Sequence, residues 1–156
     1  MALKEKLEKL KKLSEQNKET DWTTYREEWR NSITKLQILI TDKWFADYEE
    51  NGLMSFSLTP VSRIEPFIGE YLTTILEITL RNNKSLVFEP VSGVTAEYDG
   101  KLEFYMRGNL YNKAIILRKI IDKEKDEWLI ATSYDAGEPY GLDKQSLEKF
   151  IDEWLQ

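Results

Sequence analysis

VTAEYDGKLEFYMRG, residues 94–108, decides how the chain folds, because its register fixes which side chains enter the core. A two-residue Asp99–Gly100 turn pairs Tyr98 with Lys101 and sets Val94 and Ala96 on the opposite face from Leu102, Phe104 and Met106. A three-residue loop, Tyr98–Asp99–Gly100 with Gly100 left-handed in a bulge, pairs Glu97 with Lys101 instead, and all five apolar residues then share one face. A one-residue slip turns every side chain over, so burial selects the bulged loop. The expected outer face carries Thr95, Glu97, Lys101, Glu103, Tyr105 and Arg107, alternating in charge as a solvated surface does.

Working outward, the flanking segments also read as strands. Met54, Phe56 and Leu58 alternate with Ser55, Ser57 and Thr59 and predict a half-buried strand ending at Pro60. VSRIEPFIGE (61–70), broken by Pro66 and Gly69, reads as an irregular crossover or an edge piece. YLTTILEITL (71–80) turns through RNNK into SLVFEP, and NKAIILRKII (112–121) follows the turn GNLYN. Both long runs are apolar on two faces, which suits the middle of a sheet or a sheet covered on both sides. DKEKDE is a charged turn into a last strand, EWLIATS (127–133).

Helical periodicity marks both ends of the chain. Leu3, Leu7, Leu10 and Leu13 line one face of LKEKLEKLKKLSEQNK, too short to be stable alone, so the face docks on its own domain or on a second chain. Trp22, Tyr25, Trp29, Ile33, Leu36, Ile40 and Trp44 recur at helical spacing, after a cap at Thr20 or Asp21 and before a stop at Asn51–Gly52. Asp143 caps a final helix with the stripe Leu147, Phe150, Ile151, Trp154 and Leu155, and Leu142 staples onto Leu147. Strands clustered between helices and joined by short turns predict an α+β fold. Its parts are N-terminal helices, an antiparallel meander sheet of about six or seven strands, and a C-terminal helix packed on the sheet. One domain is expected over residues 1–156, with residues 1–20 as an amphipathic helix that docks separately or on a partner.

Composition narrows the function. With no His and no Cys, imidazole and thiol catalysis and the metal sites built on them are excluded. No catalytic residue, metal or cofactor is assigned from the sequence. An enzyme would need a carboxylate pair or a Lys–Tyr pair with shifted pKa values in a cleft. The net charge of −6 argues against nucleic acid, and no apolar run approaches a membrane span. A cytoplasmic location is the expectation. Charge is uneven: residues 1–20 hold six Lys against four Glu, and residues 122–156 hold ten acids against four Lys.

The leading expectation is a small acidic protein-interaction domain without catalysis, an inhibitor of a basic partner in the manner of immunity proteins and antitoxins. That likeness is one of composition only. Tyr134, Asp135, Glu138 and Tyr140, on the loop YDAGEPYGLD, are its candidate partner-binding residues, because such loops concentrate recognition and Tyr supplies large contact area. A homodimer through the N-terminal leucine face is a further expectation. The alternative is a small-ligand domain with an aromatic pocket walled by Trp22, Trp29, Trp44 and Trp128.

Overall fold

The computed structural model describes residues 2–19, 21–109, 112–123, 125–132 and 138–155, with the side chains of 13–19 left aside. Seven strands lie side by side in chain order, every neighbouring pair antiparallel. They are β1 Met54–Glu65, β2 Gly69–Leu80, β3 Ser85–Ser92, β4 Lys101–Met106, β5 Lys113–Asp122, β6 Lys125–Thr132 and β7 Tyr140–Gly141. Helices α1 Leu3–Glu19, α2 Trp22–Ile38 and α3 Ala46–Glu50 precede the sheet, and α4 Lys144–Trp154 follows it.

One core joins the inner sheet face to α2 and α4. Leu76, Ile78, Leu86, Phe88, Leu102, Phe104, Ala114, Ile116 and Ile130 meet Trp29, Ile33, Leu36 and Ile40 from the helical side and Leu147, Phe150 and Ile151 from α4. Phe88 stacks on Phe104 at 4.3 Å between ring centres, and Phe150 meets Phe104 edge-on at 6.5 Å. Each such large side chain contributes roughly 1.5–3 kcal/mol by leaving water. Asp21 caps α2 by accepting from Thr24 N, and the Thr24 hydroxyl, followed by that N–H, holds its carboxyl below the usual range. Asp143 and Ser146 form a reciprocal capping box on α4, and the half-buried Leu142 packs on the core beside it.

The long periodic segment is not one uniform helix. After Ile38 it winds into a π turn, Leu39–Trp44, and then α3. Phe45 N donates to Ile40 O at 2.9 Å, which adds one residue to that turn. Phe45 therefore takes the fully buried place that the 3–4 spacing gave to Trp44, and Trp44 is half-buried. Gly52, at φ +69, ends the segment as expected for a helix stop.

The register of residues 94–108 is the main correction. Leu102, Phe104 and Met106 do enter the core, but β4 pairs with β3, Phe88 opposite Phe104 and Leu86 opposite Met106. Residues 94–100 form no strand; Glu97 does not face Lys101, and Ala96 is exposed. Other groups meet this segment's backbone. The Glu65 carboxylate accepts from Gly93 N, Thr95 Oγ1 accepts from Tyr98 N, and Asp99 N donates to Arg118 O.

Two further expectations give way. β1 runs through Pro60 to Glu65, because β1 is the sheet edge and a missing N–H there breaks no ladder bond. Residues 61–70 accordingly belong to the edge hairpin with β2, the edge piece of the two alternatives and not the crossover. Its turn places Phe67 at φ +68, stacked on Trp22, while Arg26 Nη1 donates to Ile68 O at 3.1 Å. The described leucines of α1 do not dock on their own domain either: Leu3, Leu7 and Leu10 are 70%, 55% and 56% exposed, and the Leu13 side chain lies outside the described residues.

On the outer sheet face, Glu77 pairs with Arg107, Glu103 with Lys113 and Glu89 with Arg63, and Tyr105 donates to Glu89. These side chains flank Val87, which is buried on that same face between Glu77 and Tyr105. Polar side-chain stems thus cover the outward apolar residue of β3.

Candidate functional site

The loop singled out by sequence yields only part of a site. Tyr134 and Asp135 lie outside the described residues. Glu138 is exposed, and Tyr140 sits in β7 opposite Ile130, with its ring partly exposed. Partial burial, then the nearby Glu153 and Asp143 charges, raise the Tyr140 hydroxyl pKa. Neither residue lines a concave surface described below.

Two concave surfaces stand out. The first is a cleft of about 590 Å³ between α2 and the β5–β6 hairpin. Glu28, Asn31, Ser32, Lys35 and Leu39 line it from the helical side, and Arg118, Ile120, Asp122, Lys123, Asp126 and Trp128 from the sheet. Arg118 forms its base and is only 1% exposed. Alternation along β5 puts Ala114, Ile116 and Arg118 on the same inward face, so the guanidinium is carried into the core. Its Nε donates to Asp99 O at 2.8 Å and its Nη1 to Ser32 Oγ at 2.8 Å, with an Asp126 oxygen 3.6 Å away. Ser32 also donates to Asp126.

The Trp29 and Tyr25 rings lie 5.1 and 5.5 Å from the guanidinium carbon. Nη2 has no hydrogen-bond partner among the described residues. Beneath the cleft, Tyr25 donates to Gly93 O and Asp99 O, and burial pushes its hydroxyl up to about 12 against the opposing pull of Arg118. Of the four tryptophans expected to wall a pocket, only Trp128 lines this cleft. Trp29 is buried beside it, its indole donating to Tyr71.

The second surface is a groove of about 350 Å³ where α3, the start of β1 and α4 converge. Phe45, Leu80 and Ile151 form its apolar base, with Tyr48 and Met54 beside them. Leu53 and Leu155 stand at its edge, 48% and 42% exposed. Glu148 and Asp152 also line it, and α3 adds the exposed Asp47, Glu49 and Glu50 nearby. Tyr48 bridges the two walls by donating to Glu148, which raises its own hydroxyl pKa. Lys144 lies over the Tyr48 ring at 5.4 Å. An apolar base ringed by acids suits a basic amphipathic segment.

Sequence reasoning reached the first surface only through Trp128 and missed the second. The even-numbered face of β5 did carry a signal for Arg118, since it shares that face with Ala114 and Ile116. The groove had none, because its walls come from three separate stretches of chain. Among the described residues no cluster of three or more acids is arranged to hold a metal, and no helix is long and apolar enough to cross a membrane.

Comparison with protein families, curated proteins and solved structures finds no match.

Proposed function

We propose that the protein is a non-catalytic interaction domain that binds a basic, amphipathic protein segment in the groove between α3, β1 and α4. The observation that carries this reading is the pairing of exposed Leu53 and Leu155 over an apolar base with the acidic rim of Glu148 and Asp152. Apolar contact supplies affinity there, and the acids select the partner's sign and speed its approach. The Tyr140 loop lies just ahead of α4 in the chain and adds its ring to the same acidic end of the sequence. An inhibitor of a basic protein fits this surface.

Affinity capture from the native cell at low salt tests the reading, with the wild-type chain beside L53E and L155E. A basic protein retained in stoichiometric amount by the wild type, lost by both variants and released by salt is expected. Equal capture on all three chains overturns it, as does the absence at low salt of any partner, a second copy of the chain included, that L53E and L155E lose.

A second reading places a small polar ligand in the Arg118 cleft. It is favoured by the volume of that cleft and by its mixed wall of Trp128, Lys35, Lys123 and acids. Titrating metabolites while following tryptophan emission tests it through Trp128. Silence across a broad library, or responses unchanged in W128F, rejects it.

A further inference from the structure

We infer that the groove between α3, β1 and α4 is filled by α1 of a second copy of this chain, giving a reciprocal dimer. This inference rests on the reading of the groove as an interaction surface, and names one occupant for it. The helix has the matching chemistry. Leu3, Leu7 and Leu10 repeat at the i, i+4, i+7 spacing with which a helix enters an apolar groove, and all three are exposed. Around them stand Lys4, Lys6, Lys9, Lys11 and Lys12 against only Glu5 and Glu8, opposite in sign to the groove's acids.

Length argues for a second copy over the chain's own helix. α1 joins the N-terminal end of α2, whereas the groove lies past the far end of the π turn. The 17 residues of α2 and 6 of the π turn rise roughly 35 Å, while the 17 residues of α1 span about 26 Å. Folded back along α2, α1 stops short of its own groove. In a two-fold pair each copy lends its helix and receives the other's, so two contacts form at once and the assembly closes.

Sedimentation velocity of the full chain across a concentration series tests the inference, with L7D/L10D altering the helix and L155D the groove. A dimer is expected for the wild type, with its dissociation constant raised more than tenfold in either variant. Mixing the two variants leaves one intact helix facing one intact groove and restores part of the association. Asp152 is exposed, so D152K provides a second groove variant should L155D fail to fold; it weakens the dimer, and K6E/K9E in the same chain recovers it. A monomer at every concentration overturns the inference, as does a dimer that L155D and D152K leave unchanged, the mark of leucine faces pairing with each other. A monomeric chain that still captures a basic protein through Leu155 leaves the groove reading standing and rejects this occupant alone.

Discussion

Gly100 packs directly beneath the Trp29 indole: a Cβ on Gly100 would lie 2.2 Å from Trp29 Cζ3. Its φ of +151° adds a backbone conformation that side chains disfavour. The contact holds the loop before β4 against α2, where the alternation had suggested a three-residue bulged hairpin. Gly100→Ala is expected to cost about 3 kcal/mol, from overpacking and backbone strain together. Gly108, at φ +89° with open space around it, supplies the control at about 1 kcal/mol. Urea denaturation of both variants checks this, and equal losses would refute the packing account.

Arg118 is the buried cation among the described residues, and truncating it strands its partners. Arg118→Met leaves Ser32 Oγ without its donor, Asp99 O with only the Tyr25 hydroxyl, and Asp126 without its counter-charge. The expected loss is about 3–5 kcal/mol. Asp126→Asn in turn leaves the buried guanidinium without that counter-charge, at a cost of about 3 kcal/mol. The double variant should lose less than the sum of the two. Strict additivity in a double-mutant cycle would show that the pair is not coupled.

Alkaline pH should weaken the fold through Tyr25. Below pH 10 its hydroxyl holds its proton in both folded and unfolded chains. Between about pH 10 and 12 the unfolded chain releases that proton while the folded chain retains it, because burial has raised the folded pKa to about 12. Folding then takes up a proton, so stability falls as pH rises, by on the order of 2 kcal/mol for this residue. Tyr71, raised by burial and by its hydrogen bond to Glu65, steepens the decline. Denaturation at pH 8, 10 and 11.5 should show a shallower fall in Tyr25→Phe than in wild type, and parallel curves would exclude Tyr25 as the source.

Pro60 stands in the open edge strand, where it withholds a donor from any approaching chain. Pro60→Val is expected to leave monomer stability within about 0.5 kcal/mol and to increase aggregation on mild heating. Light scattering during a thermal ramp measures this. Identical onset temperatures would mean that the edge is protected by something other than the proline.

Much of this architecture was legible because local period and sheet position agree. The strands from Tyr71 to Thr132 alternate as their neighbours require, and Asp143 and Asn51–Gly52 mark helix ends by short-range chemistry alone. Tertiary contacts decided the rest. Trp29, Glu65 and Arg118 claim the backbone of residues 93–100, and no pattern within that stretch reveals partners so far away in sequence. Phe45 displaces Trp44 because one added residue in the π turn fits the core better than the ideal repeat. The proposed groove was illegible for the same reason: Phe45, Leu80 and Ile151 meet only once the sheet and α4 have come together. Tyr140 and Glu138, visible as a loop signature, proved to flank the sheet edge rather than to build a concavity.

The unbroken sequence of neighbours in the sheet bears on how the chain reaches its final shape. Each strand finds its mate in the piece of polypeptide made immediately before it, so most of the ladder can zip up from short loop closures without threading. The helix Lys144–Trp154 is synthesised after the whole sheet, yet its Phe150 seals Phe104 inside. Until it arrives, a nascent chain carries an assembled but uncapped layer, and ribosome-bound intermediates should bind a hydrophobic dye that the released protein excludes.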